Sequence, residues 1–121
     1  MKSLEKKITR YLADRAWDKA VPADLAKSIS IESAELLELF QWGNISFEEL
    51  KKNKTKFSLF KKEIADVFIY CFDMTTLVGV DTEKIILEKL KYNEKKFPVK
   101  KVKGTAKNYF AIKKLYRKKG Y

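Results

Sequence analysis

A chain of 121 residues with 45% apolar content fits one domain and can build a real hydrophobic core. Its 27 Lys and Arg against 16 Asp and Glu leave a net charge of +11, a field that draws phosphates, nucleic acid or anionic membrane without choosing among them. One cysteine, Cys71, rules out an internal disulfide, and the absence of histidine argues against a typical zinc site and against the Glu-x-x-His di-iron bundle.

Apolar residues recur at helical spacing nearly throughout and no useful segment alternates with period two, so an all-α protein is expected. Leu4, Ile8, Tyr11 and Leu12 predict a first helix that ends near Trp17, before the Val21-Pro22 break. A second is predicted from about Asp24, as N-cap, to Trp42, with Gly43 as its stop. The capping-box pattern Ser46-x-x-Glu49 opens a short helical piece, followed by a Lys-rich link, KKNKTK. The third long helix is predicted over roughly 58–78, closed by Gly79, and a fourth from Asp81 or Thr82 to Phe97, before Pro98. These elements suggest a four-helix bundle-like subunit. The third long helix is apolar nearly all round, so it should be the most buried and is suited to packing against a second subunit as well as its own. The organisation expected is a helical domain over 1–99 and a basic extension over 100–121. The N-terminal segment lacks an apolar signal-peptide core, and Asp66 and Asp73 interrupt the apolar run 64–80, which predicts a soluble cytoplasmic protein.

Charge is distributed unevenly along this chain. Residues 28–50 carry five acids and no base, residues 63–83 carry five acids and no base, and the other 77 residues sum to +21. Inside the two acidic stretches lie Glu32-x-x-Glu35 and Glu63-x-x-Asp66. At about 100° per residue, Glu32 falls in the middle of the apolar stripe formed by Leu25, Ile29, Leu36 and Phe40, with Glu35 at its edge. Glu63, Asp66 and Tyr70 likewise share a face with Leu59 and Leu77. Burying such carboxylates uncompensated costs on the order of several kcal/mol each, or forces them to take up protons. A hard divalent cation held by oxygen ligands would neutralise them, with Mg²⁺ the natural candidate and Mn²⁺ a substitute. The alternative is a buried ion-pair network with distal lysines, which is costly to desolvate.

Read together, ESAELLELFQW, EIADVFIY and KLKYNEKKFPV resemble the all-α MazG-like nucleoside triphosphate pyrophosphohydrolases, most closely the branch with deoxycytidine triphosphate pyrophosphatases. The resemblance runs from about residue 17 to 109. It implies that Glu32, Glu35, Glu63 and Asp66 bind Mg²⁺ and are catalytic, that a nucleoside triphosphate is cleaved between its α and β phosphates, and that the pool is kept clear of unwanted nucleotides. It implies further that Trp17, Trp42 and Tyr70 line the nucleotide pocket and that Lys89, Asn93 and Lys96, at i, i+4 and i+7, reach the outer phosphates. A homodimer or homotetramer is expected, with no membrane partner. The chain departs from the family in having no histidine near the pocket, which bears on base preference. Residues 100–121 carry nine basic residues with Tyr109, Phe110, Tyr116 and Tyr121 interleaved. Taken alone, that composition suggests the alternative function, a small basic helical nucleic-acid-binding protein, and it leaves the two acidic motifs unexplained.

Overall fold

The computed structural model describes residues 2–104 and 106–120. Among them every regular element is a helix: α1 Lys2–Asp14, α2 Pro22–Glu38, α3 Phe47–Lys52, α4 Lys54–Val78, α5 Thr82–Lys96, α6 Val99–Val102 and α7 Ala106–Lys118. The all-α expectation holds. Contacts divide the chain between Thr82 and Glu83 into two compact units, where the sequence reading drew its boundary at residue 99.

In the first unit α4 is the spine, packed most extensively on α2 and then on α1 and α3. Ile8 and Leu12 of α1 meet Phe72 of α4 in a buried cluster, with Leu77 against it. Leu25 and Leu50 bury the inner faces of α2 and α3. The core is small for the apolar content. Phe68 and Ile69 of α4 remain 58% and 42% exposed, and Leu37 and Phe47 60% and 76%. The most apolar helix is thus central and yet only half covered by its own chain.

Several boundaries differ from the sequence expectation, each for a local reason. Helix α1 closes before Trp17, because Ala16 takes a left-handed φ of 55°. Trp17 N–H then donates to Leu12 O at 2.9 Å and Ala16 N–H to Ala13 O at 3.1 Å, a Schellman closure. Helix α2 begins at Pro22, whose fixed φ and missing N–H suit a first turn, so Val21 rather than Asp24 holds the N-cap position. It ends at Glu38 rather than Trp42. Beyond it the chain tightens into i→i+3 turns, with Phe40 N–H on Leu37 O at 2.9 Å and Gly43 N–H on Phe40 O at 3.4 Å. The predicted cap of α3 is present: Ser46 Oγ accepts from Glu49 N–H at 3.1 Å. The Lys-rich link is not a link. Asn53 Oδ1 accepts from Lys56 N–H at 3.0 Å and starts α4 at once, earlier than the expected start near residue 58. Gly79, at φ 82°, closes α4 as predicted. Thr82 N–H donates to Glu5 Oε1 at 3.1 Å and the Thr82 and Thr75 hydroxyls lie 2.6 Å apart, which pins the end of this unit to α1 and α4.

The second unit holds the rest of α5, which ends one residue before Phe97 much as predicted, and it adds the helices α6 and α7 where only a biased tail was expected. Phe97 stacks on Tyr109 with centroids 4.9 Å apart, and Tyr92 meets Tyr116 edge-on at 6.0 Å. Asn108 Nδ2 donates to the Lys101 carbonyl. Tyr121 of the basic tail lies outside the described residues. No helix among them is long and apolar enough to cross a membrane.

Candidate metal centre and adjoining cavity

Successive carboxylates three residues apart lie on one face of a helix, and α2 and α4 pack with those faces together. Glu32, Glu63 and Asp66 each offer an oxygen, and the three oxygens lie within 4.8 Å of one another. Glu35 is exposed and outside this trio, yet it shares hydrogen bonds with both Glu32 and Glu63. A carboxyl pair can share a hydrogen bond only if one member holds a proton. The Oε2 atoms of Glu32 and Glu63 are shut away from solvent and meet no hydrogen-bond donor.

Desolvation, then the hydrogen bond with Glu35, then the repulsion of Glu35, Asp66 and Glu63 push the Glu32 carboxyl up to about 7. Glu63 is raised for the same reasons, with Glu38 as an added repulsive neighbour. Every charged group acting on either carboxyl is acidic. A buried ion-pair network would require cations among them, so that alternative fails for this cluster. An all-oxygen donor set with orphaned lone pairs and unrelieved repulsion fits a hard divalent cation.

Asp66 also faces a cavity of about 600 Å³ between α1, α2 and α4. Tyr11, Leu12, Trp17, Leu25, Ile69 and Tyr70 form its apolar walls. Trp17 and Tyr11 meet edge-on with centroids 5.8 Å apart, and the Arg15 guanidinium sits 4.0 Å over the Tyr11 ring. The Schellman turn at Ala16 is what brings Trp17 back onto α1. At the far side lies Asp73, 4% exposed, whose carboxyl is raised by burial alone.

Of the residues singled out from sequence, the fold brings Glu32, Glu63 and Asp66 together with Glu35 beside them, and it places Trp17 and Tyr70 on the adjoining cavity. Trp42 is not brought there: it is 91% exposed in the turn after α2 and lines neither of the two principal cavities. Lys89, Asn93 and Lys96 share a face of α5 in the second unit. Lys89 Nζ lies 4.5 Å from the Tyr92 ring and Lys96 Nζ 5.2 Å from the Phe97 ring. Sequence reading missed Glu38, Tyr11 and Asp73. The signal for two of them was available, since Glu38 continues Glu32-x-x-Glu35 by three residues and Asp73 continues Glu63, Asp66 and Tyr70 at the next turn.

The family model of the MazG-like family matches residues 27–111, ending inside α7. A crystal structure of a pyrophosphatase from Archaeoglobus fulgidus superposes with a TM-score of 0.70 at 35% identity, covering 81% of this chain and 92% of that one. Among curated proteins, dCTP pyrophosphatase 1 of Rattus norvegicus is 28% identical over 102 residues, and that of Bos taurus 26% over 106. Each alignment takes in 82% of this chain, which spans only about three fifths of their length. With both acidic motifs inside the matched segment and brought together by α2 and α4, the chain belongs to the MazG-like family.

Proposed function

We propose that this chain hydrolyses nucleoside triphosphates between the α and β phosphates, releasing a nucleoside monophosphate and pyrophosphate, with Mg²⁺ as cofactor and a pyrimidine deoxynucleotide such as dCTP preferred. The observation that carries it is the abutment of two features at Asp66: an orphaned carboxylate cluster and a cavity walled by aromatic rings. The names of the relatives agree with this reaction and with a nucleotide-pool clearing role.

A divalent cation held by Glu32, Glu63 and Asp66 would supply charge neutralisation for phosphate oxygens and would acidify a water. The residues do the rest. Glu32, Glu63 and Asp66 would hold that cation beside the cavity, while Trp17 and Tyr70 offer flat apolar surface to the base. Water adds to phosphorus, the anhydride P–O bond breaks, and pyrophosphate leaves. Glu35, exposed beside the cluster, takes the proton from the attacking water. Lys89, Asn93 and Lys96, at i, i+4 and i+7 on α5, are assigned to the outer phosphates by the family resemblance alone.

The uncovered apolar surface of α4 and of the turn after α2 supports assembly as a homodimer or homotetramer. A nucleic-acid role for the basic tail draws less support, because Tyr109 and Tyr116, the rings that would stack on bases, already pack on Phe97 and Tyr92. The free thiol of Cys71 suits a reducing cytoplasm.

The test is a panel of canonical nucleoside triphosphates incubated with protein and Mg²⁺, with monophosphate and pyrophosphate quantified. Stoichiometric release of both, abolished by chelator and restored by Mg²⁺ or Mn²⁺, is expected. Release of inorganic phosphate instead, or turnover in excess chelator, would overturn the reaction.

A further inference from the structure

Asp73 sits one turn beyond Tyr70 on α4, 4% exposed, and it lines the aromatic cavity at a position the metal cluster does not use. Its Oδ1 is closed off from solvent and meets no hydrogen-bond donor. A carboxyl buried this way is expensive unless something in the occupied site donates to it. The other charged groups on the cavity wall are Lys7, Asp24 and Asp66, and none of them relieves it: burial is the whole cause of its raised proton affinity. The cavity therefore has flat apolar walls, a phosphate end at Asp66, and one unsatisfied polar group on the same helix face two turns away.

We propose that Asp73 reads the base, accepting a hydrogen bond from the exocyclic amino group of a cytosine-type ring. The proposal rests on the nucleotide reading of the cavity and names what selects within it. An ionised carboxyl only accepts, and at ring position 4 cytosine offers it an amino donor. Uracil and thymine place a carbonyl acceptor at that position, which an acceptor-only oxygen cannot bond. Against the buried Oδ1 the mismatch leaves a polar group on each side without a partner, which is the situation in which hydrogen bonding discriminates strongly.

The experiment compares kcat/KM for dCTP and dUTP, which differ in the group at ring position 4, in the parent, Asp73→Asn and Asp73→Ala. The parent is expected to favour dCTP by about tenfold or more. The amide can turn over to suit either edge and alanine makes no polar contact, so the ratio should fall to within about threefold in both variants. A purely structural Asp73 would change both substrates together and leave the ratio alone. That result in folded variants, or a parent that favours dUTP or treats the two alike, overturns the proposal while the pyrophosphohydrolase reading stands. If the parent hydrolyses neither nucleotide, the proposed reaction has failed. Affinities for α,β-imido-dCTP and α,β-imido-dUTP, followed through Trp17 fluorescence in a Trp42→Phe background, then decide Asp73 alone: a dCTP-analogue preference lost in Asp73→Asn supports it and equal parent affinities overturn it.

Discussion

Two cavities of the first unit differ in what they specify, and the larger is the less informative. The one between α2, α3 and α4 holds about 850 Å³ and is walled by Leu36, Leu37, Phe40, Phe47, Leu50 and Phe60, with no carboxylate or cation on it. The one between α1, α2 and α4 holds about 600 Å³ and collects Asp66, Asp73, Asp24, Lys7 and Tyr70 on otherwise apolar walls. Volume alone would choose the wrong one. A cavity lined by hydrocarbon can be filled by any apolar surface of suitable shape, whereas one with orphaned carboxylates specifies the chemistry of its occupant. The 600 Å³ cavity, here the first, is on this ground the proposed site for a small polar ligand, and the 850 Å³ cavity, the second, a proposed surface for packing.

Exchanging a group at each cavity should separate these roles most sharply. Glu32→Gln removes the carboxylate at the centre of the cluster and is expected to lower hydrolysis by about a thousandfold or more while keeping or raising the melting temperature, since one repelled buried charge has gone. Phe47→Ser, on the rim of the second cavity and 76% exposed, should leave the stabilisation by Mg²⁺ in place and weaken self-association. Rates on the nucleotide panel and sedimentation velocity check the pair. A Glu32→Gln protein with parental turnover would reduce the cluster to structure.

Acid titration offers a second contrast, in which the same groups act with opposite sign depending on metal. Glu32 rises from its ordinary 4.5 to about 7 in the fold, so the folded state holds a proton that the unfolded chain has lost. That contribution is complete below 4.5 and is lost as pH rises through about 7; Glu63 and Asp73 shift in the same direction. Metal-free protein should therefore become less stable from pH 5 to pH 8. Metal binding requires the ionised carboxylates, so the melting-temperature gain from Mg²⁺ should grow over that range. Thermal melts with chelator and with Mg²⁺ across the series test both slopes. A gain independent of pH would remove Glu32 and Glu63 from the ligand set.

How far the sequence carried differs between the two cavities for a physical reason. Glu32, Glu63 and Asp66 were legible because a charge on an apolar stripe contradicts the helical pattern, and three-residue spacing fixes which acids share a face. Asp73 breaks the same pattern and was passed over as an interruption of an apolar run, although it sits on the stripe of Asp66 and Tyr70. Tyr11 was legible only as part of a core stripe, since its meeting with Trp17 depends on Ala16 adopting a conformation that the alanine side chain does not announce. Trp42 was expected on the helix wheel of Glu35, but α2 gives way to tight turns after Glu38 and that geometry does not reach it. The start of α4 was missed because lysines masked Asn53, whose cap is a short-range cue in full view. Helices in the tail were missed because their stability comes from ring contacts such as Phe97 on Tyr109, which periodicity does not encode.

The smallest expected effects lie at the two rims and run in opposite directions. Ala16 holds a left-handed φ of 55° next to the first cavity, a conformation that costs an L-residue roughly 1–2 kcal/mol, whereas glycine adopts it freely at an unfolded-state entropy cost of roughly 0.5–1 kcal/mol. Ala16→Gly should thus be neutral to stabilising, by up to about 1 kcal/mol. Ser46 at the second cavity accepts the Glu49 N–H at 3.1 Å, and Ser46→Ala should cost about 1 kcal/mol by leaving that donor without its cap. Denaturant unfolding at one pH, with chelator present, measures both. Strain retained beside the first cavity and a relaxed cap beside the second would mean that the ligand site, not the packing surface, is where the fold gives up stability to hold Trp17 in place. Destabilisation by Ala16→Gly beyond its entropy cost would show that the alanine methyl itself packs at the turn, and the opposition between the two rims would disappear.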